Sequence, residues 1–175
     1  QLRNRRVDLS NFIYGIAVNS QTIKEIQLQN YCFDKVISVE NKANFNYLCT
    51  KEENALILYT GGFYTPIQKR FLNKLYNQLI KYNSNIEFYH WSDIDLGGFN
   101  IYRNIKQYIF NDVKPYLMDV EVMRKYIDWC EPIEDEKYIL KLKKLLEDKY
   151  IEELHGLIKF VIDNKLILEQ ESLIT

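Results

Sequence analysis

Residues 86–98 read IEFYHWSDIDLGG, an apolar run followed by two aspartates one residue apart and by two glycines. The apolar run, residues 86–91, predicts a buried strand. Residues 92–98 predict the loop that leaves this strand, and residues 99–110 predict a helix. This stretch therefore indicates a β-loop-α unit.

Two upstream segments follow the same pattern. Residues 35–40 (KVISVE) and 55–60 (ALILYT) are short and apolar, which predicts two more buried strands. Residues 41–50 and 65–82 predict the helices that follow, and the Thr65-Pro66 pair suits a helix start. Strands that alternate with helices predict an α/β fold with a mostly parallel sheet flanked by helices.

The chain becomes helical beyond Pro115. Helices are predicted over residues 120–129, 135–150 and 151–164, and the last segment, 166–174, predicts an edge strand or a short helix. We therefore divide the chain into an N-terminal linker and lead-in, an α/β core, and a helical C-terminal extension packed on that core, spanning residues 1–34, 35–115 and 116–175.

Composition narrows the class of protein. The chain has 175 residues, of which 47% are hydrophobic, and a net charge of −1, so its overall field is not that of a DNA-binding protein. Cys32, Cys49 and Cys130 are too scattered for a zinc site, which favours a reducing cytoplasm. No apolar run reaches the roughly 20 residues of a membrane span. The chain begins at Gln1, and we expect a fragment from the C-terminal part of a longer protein.

Asp93 and Asp95 follow the third predicted strand, and the period of two places their side chains on the same side. Two carboxylates so close favour a bound cation, and Mg²⁺ prefers hard oxygen ligands. Gly97 and Gly98 would let a phosphate approach closely. The alternative is an acidic turn that caps the next helix.

Glu40 ends the first predicted strand, in a segment otherwise suited to burial. Since ligands bind at the carboxyl ends of parallel strands, Glu40 is expected to join Asp93 and Asp95 in one metal site. Without a metal the three acids repel one another, so removing one should be neutral or stabilising for the fold. The alternative is that Glu40 caps the helix that begins near Asn41.

These motifs resemble a known family. Glu40-Asn41, Gly61-Gly62 and residues 93–98 (DIDLGG) are similar to a Toprim domain, the fold shared by topoisomerases, bacterial primases and several nucleases. More narrowly, the chain is similar to the C-terminal domain of the JetD family, the nuclease subunits of the Wadjet plasmid-defence system, which are related to the topoisomerase VI A subunit. The motifs that carry this likeness are VEN at 39–41, YTGGF at 59–63, WSDIDLGGF at 91–99 and LEQE at 168–171.

The resemblance implies a Mg²⁺-dependent DNA endonuclease, with Mn²⁺ as a substitute metal. Asp93 and Asp95 would bind the metal, and Glu40 would be a general acid/base or a third ligand. The implied partners are DNA, a second copy in the full-length protein and the other subunits of the SMC-like Wadjet complex, with no membrane. Topoisomerase relatives cut with a tyrosine from a separate domain, so the 14 tyrosines here receive no such role.

Further positions have weaker signals. Arg103, Lys69 and Arg70 would contact DNA phosphates, although a solvated surface explains them nearly as well. Glu169 and Glu171 would add a ligand for a second metal or pair with a base that holds the C-terminus. His90, inside a strand, is expected to be a core residue.

Two other functions compete with the nuclease. A Toprim-fold DNA-binding or assembly module would not cleave, but it would not need three acids together. A phosphatase of the haloacid-dehalogenase type also places Asp-x-Asp after a strand. It usually has threonine or valine where Gly97 stands, and it leaves Glu40 without a role.

The near-neutral charge leads to a prediction about DNA affinity. These 175 residues alone should bind duplex DNA weakly, with an affinity that falls further as salt rises, because they offer few net phosphate contacts. Fluorescence anisotropy with a labelled duplex over a salt series measures this. Tight binding at physiological salt would contradict it.

Overall fold

The computed structural model describes residues 6–27, 29 and 31–174. Its centre is a four-stranded sheet in which every pairing is parallel, with the strand order β2-β1-β3-β4. Its strands are β1 (Lys35–Val39), β2 (Ala55–Tyr59), β3 (Glu87–Trp91) and β4 (Lys114–Pro115). Helices flank this sheet, which confirms the predicted α/β fold class.

Three helices connect consecutive strands of the sheet. They are α2 (Lys42–Cys49), α3 (Pro66–Tyr82) and α4 (Leu96–Tyr108). α3 begins where the sequence predicts, since Thr65 and Gln68 form a capping box and Pro66 occupies the first turn. A short helix, α1 (Ser20–Glu25), precedes β1 and contacts α3.

β1 lies in the interior of the sheet, between β2 and β3, and four of its five residues are buried. Val36, Ile37 and Val39 are fully buried between the two neighbouring strands. Ser38 pairs in register with His90, and its hydroxyl lies 2.8 Å from Nδ1 of that imidazole. Burial lowers the pKa of His90 to about 3, so the ring is neutral, as expected for a core residue.

The chain beyond β4 is mainly helical and contributes to the same hydrophobic core. It contains α5 (Val120–Lys125), β5 (Glu131–Pro132), α6 (Glu136–Leu145), α7 (His155–Asn164) and β6 (Leu166–Ile167). β5 and β6 pair antiparallel. Among the described helices, none has the length and hydrophobicity that a membrane crossing requires.

Several predicted helix bounds were wrong. The helix predicted over 135–150 ends at Leu145, and residues 149–154 form a 3-10 segment in which Ile151 is non-helical. The helix predicted over 120–129 ends at Lys125 and is followed by a 3-10 turn. Residues 166–174 contain both predicted alternatives, since β6 precedes a 3-10 helix, Gln170–Ile174.

Gly98 allows α4 to start directly against the loop that precedes it. A Cβ at this position would lie 2.0 Å from the backbone oxygen of Asp93 and 2.7 Å from Oγ of Ser92. At Gly97, which is exposed, the nearest atom to a Cβ would be Oδ1 of Asp95, at 3.2 Å. The close approach therefore requires glycine at position 98 but not at position 97.

Alanine substitutions at these two positions of α4 should differ in their effect on stability. Gly98→Ala is expected to destabilise the protein by roughly 1–3 kcal/mol, because backbone must move to admit the methyl group. Gly97→Ala is the matched control and should change the free energy of unfolding by less than about 1 kcal/mol. Alanine has a higher helix propensity than glycine, which offsets the cost of moving the Asp95 side chain. Thermal melts measure both, and equal melting temperatures for the two variants would contradict the close approach.

Candidate functional site

The carboxyl ends of β1 and β3 lie side by side at the centre of the sheet. Val39 pairs in register with Trp91, so the two strands end at the same level. The backbone N–H of Glu40 donates to the carbonyl of Trp91 at 3.0 Å. Glu40 therefore lies where the loop after β3 begins.

Asp93 and Asp95 lie on either side of a buried residue in that loop. Ile94, 1% exposed, forms an antiparallel bridge with Leu168, with N–O distances of 2.9 and 3.2 Å. The two aspartates are half-buried, and both raise the pKa of Glu40. The sheet thus brings together the three acids that the sequence singles out.

A helix cap was the alternative role for both the acids after β3 and Glu40, and the structure supports it at only one of the two strand ends. Asp95 does cap α4, since its Oδ1 accepts from the N–H of Gly98 at 2.6 Å. Glu40 is not a cap, because Asn41 caps α2 and accepts from the N–H of Ala43 at 2.7 Å. Removing Asp95 would therefore cost a helix cap, about 1 kcal/mol, which opposes the relief of repulsion behind the expected neutral or stabilising effect.

Gln170 joins the two strand ends to the C-terminal segment. It is 1% exposed, and its backbone N–H donates to Oδ1 of Asp93 at 2.7 Å. Its Oε1 accepts from the backbone N–H of Asn41 at 3.0 Å, and its carbonyl accepts from Nδ2 of Asn44 at 2.7 Å. The sequence motif LEQE indicates this segment, but no spacing rule connects residue 170 to Asn41 and Asp93.

Two glutamates flank Gln170 and behave differently. Burial, Asp93 and Asp95 raise the pKa of Glu169, so this side chain belongs to the acid cluster. Glu171 accepts from Nδ2 of Asn41 at 2.7 Å and ties the C-terminal segment to α2. Its partner is an amide and not the base that was one of the two predicted alternatives. We call Glu40, Asp93, Asp95 and Glu169 the acid cluster.

Glu40 has the most perturbed carboxyl group of this cluster. Burial, Asp93 and Asp95, in that order, raise its pKa to about 7, although a hydrogen bond with the backbone of Asp93 opposes them. Its Oε2 is buried without a hydrogen-bond partner among the described residues. Burial also raises the pKa of Asp93. The cluster therefore holds more negative charge than its protein surroundings compensate.

The side chains of the acid cluster do not form a complete metal cage. In residues 6–27, 29 and 31–174, no three or more His, Cys, Asp or Glu side chains are arranged to hold a metal ion. One oxygen of Asp93 and one of Asp95 accept backbone N–H groups, but a carboxylate retains further lone pairs. Mg²⁺ commonly uses one or two carboxylates together with waters and phosphates, so the donor chemistry suits it.

The three predicted phosphate-binding residues lie on α3 and α4 and have different surroundings. Arg103, on α4, forms an ion pair with Asp148. Lys69 lies over the ring of Tyr108, with its Nζ 5.0 Å from the ring centre, and Arg70 is exposed on α3. Of the three, Arg103 lines a cleft that also includes Gly97, next to Asp95.

Comparisons with known proteins point to one family. The family model described as Wadjet protein JetD, C-terminal, matches residues 2–175. The Wadjet protein JetD of Bacillus cereus (strain Q1) is 31% identical over 174 residues, which cover 99% of this chain and 42% of the relative. The chain thus spans less than half the length of the relative that it matches.

The raised pKa of Glu40 predicts how stability depends on pH. The unfolded chain has the ordinary pKa of 4.5 and the folded protein a pKa of about 7, so the folded state binds this proton more tightly. The free energy of unfolding should therefore fall as pH rises between these values, by roughly 1–2 kcal/mol after allowance for solvent screening.

Glu40→Gln should remove this part of the pH dependence and leave the protein more stable than the wild type at pH above 7. Urea unfolding across the pH range, without divalent metal, measures the effect. Glu53→Gln, at an exposed surface carboxylate, is the control. Wild-type and Glu40→Gln stabilities that run parallel over this range would show that Glu40 titrates normally.

Proposed function

The chain belongs to the family of C-terminal domains of the Wadjet protein JetD, and we propose that it is a Mg²⁺-dependent DNA endonuclease domain acting in anti-plasmid defence. One observation carries the proposal: an uncompensated acid cluster lies at the ends of two adjacent parallel strands. In open α/β sheets this edge is where ligands bind. Clustered carboxylates that lack a basic partner favour a divalent cation.

In this proposal Asp93 and Asp95 hold the metal. Their carboxylates are fixed by the N–H groups of Gln170 and Gly98, so the metal would meet oriented oxygens. Bound Mg²⁺ would stabilise charge on the scissile phosphate and lower the pKa of a bound water. Mn²⁺, which also accepts oxygen ligands, would replace it.

In this proposal Glu40 is the general base or acid of the cleavage reaction. A pKa of about 7 suits a general base or acid at neutral pH, since the group can both accept and release a proton. The carboxylate would take the proton of an attacking water, and its buried Oε2, without a partner among the described residues, leaves its charge uncompensated by the protein. Burial and the two aspartates keep the group in this range.

A non-cleaving assembly or DNA-binding module is the second candidate. The absence of a complete metal cage in the described part of the chain favours it. The acid cluster favours the nuclease instead, because half-buried carboxylates that repel one another cost stability without adding to DNA binding.

The whole protein would contain more than this chain. The matched relative is more than twice as long, so substrate DNA is expected to contact other parts as well. We propose that the full-length protein pairs with a second copy, because a double-strand break needs two active sites. Its other partners would be the remaining Wadjet subunits.

Asp95→Asn in the full-length protein tests the metal role. Asparagine retains an oxygen that can cap α4 but removes the charge, so folding should be unchanged while Mg²⁺-dependent DNA cleavage falls by about 100-fold or more. Plasmid cleavage with Mg²⁺ and thermal melts without it separate the two effects. Asp135→Asn, at the N-cap of α6, is the matched control and should leave cleavage intact.

A second readout does not depend on activity. Mg²⁺ should raise the melting temperature of the wild type and of Asp135→Asn but not that of Asp95→Asn, because a ligand stabilises only the state that binds it. Undiminished cutting by a well-folded Asp95→Asn protein would exclude the metal-nuclease mechanism.

A further inference from the structure

A cleft of about 360 Å³ opens beside the acid cluster, between the loop after β2 and the exposed side of α4. Phe63 forms one wall, and Arg103, Asn104 and Gln107 lie along the other. The volume is in the range of sites for small ligands, so it admits a single nucleotide but not a duplex.

The cleft is continuous with the acid cluster at one end. Gly97 lines it, and a Cβ on Gly97 would lie 3.2 Å from Oδ1 of Asp95. Tyr138 also lines it, and its hydroxyl accepts from the N–H of Leu96 at 2.8 Å. Burial, Asp95 and Glu169 all raise the pKa of Tyr138, which places this residue next to both sites.

The polar wall of the cleft is suited to an anion. Among the described residues, no carboxylate lines the cleft, although acids lie just beyond its end. Arg103 is held by Asp148 through Nε, and its side chain remains 41% exposed. Since a guanidinium carries five N–H donors, several remain for a phosphate. Asn104 has a buried Oδ1 without a hydrogen-bond partner in the described part of the chain, and this acceptor suits an N–H group of a base and not the phosphate.

The opposite wall offers an aromatic face. Phe63 is 61% exposed, although it is a large apolar side chain in a short loop. Gly61 and Gly62 precede it with φ values of 62° and 93°, a left-handed turn that favours glycine. An exposed aromatic ring that lines the same cleft as a guanidinium and side-chain amides is similar to the sites at which proteins stack unpaired bases.

We infer that this cleft binds one unstacked nucleotide of a DNA strand, next to the phosphate that the acid cluster would cut. Phe63 stacks on the base, Arg103 contacts the backbone phosphate, and the amides of Asn104 and Gln107 face the edge of the base. The inference rests on the proposed function for its choice of DNA. It adds that the strand is locally unpaired beside the cut.

Binding of short single-stranded oligonucleotides to the 175-residue chain tests this inference. The measurement is fluorescence anisotropy at low salt with EDTA, so that neither metal nor cleavage contributes. Phe63→Ala should weaken binding by about 5- to 150-fold, the range for loss of one base–aromatic stack. Trp129→Ala removes another exposed ring, 57% exposed and outside the cleft, and should leave binding unchanged.

Two variants that each add one negative charge, one inside the cleft and one outside it, test the polar wall. Gln107→Glu places a carboxylate in the cleft, and Asn54→Asp adds the same charge at an exposed position elsewhere. Only Gln107→Glu should weaken strand binding by several-fold. The inference would be overturned if the two alanine variants weakened binding equally, or if Gln107→Glu and Asn54→Asp did so. A duplex that bound more tightly than the single strand would also overturn it.

Failure of the inference and failure of the proposed function give different results. If the cleft does not bind a strand, Phe63→Ala leaves oligonucleotide binding unchanged, while Asp95→Asn still abolishes cleavage. If the chain is not a nuclease, Asp95→Asn has no effect on cutting, while the Phe63 and Gln107 variants still report strand binding in EDTA.

Discussion

In the centre of the sheet, Val39 and Trp91 are register partners, and both are fully buried. Their pairing sets the level at which β1 and β3 end, and so decides where Glu40 and Asp93 lie. A slip of one residue would move every side chain of the slipped strand to the other face and would shift Glu40 by one residue relative to the loop after β3. The core therefore sets the level of the strand ends, while the close approach at Gly98 and the bonds of the loop to Leu168 and Gln170 set the positions of the aspartates.

The edge formed by the carboxyl ends of β1 and β3 concentrates negative charge, which costs the folded state stability. Burial and mutual repulsion raise the pKa of Glu40, Asp93 and Glu169. Backbone N–H groups offset part of this cost at Asp93 and Asp95, because a hydrogen bond to a carboxylate favours its charged form. Glu40 receives less of this help, which explains why its pKa is raised to about 7 while its neighbours are held as oriented carboxylates.

Much of this arrangement could be predicted from local patterns. Short apolar runs marked the three long strands, and their ends placed Glu40, Asp93 and Asp95 at one edge. Contacts between distant residues could not be predicted in this way. The hydrogen bonds of Gln170 to Asn41 and Asp93, and the ion pair of Arg103 with Asp148, depend on how the C-terminal helices return to the sheet. The ends of α5 and α6 were also missed, because 3-10 turns retain much of the spacing of an α-helix.

The position of Gln170 in the chain has a consequence for the order of events during synthesis. A ribosome adds about 5–20 residues per second, so roughly 4–15 s separate Asp93 from Gln170, whereas small domains typically fold in microseconds to seconds. The sheet can thus be in place while the carboxylate of Asp93 still lacks the N–H that orients it. A nascent chain would carry the acids before it carries the bond that aligns them, and the acids would be fully oriented only when the segment that contains Gln170 closes over the sheet.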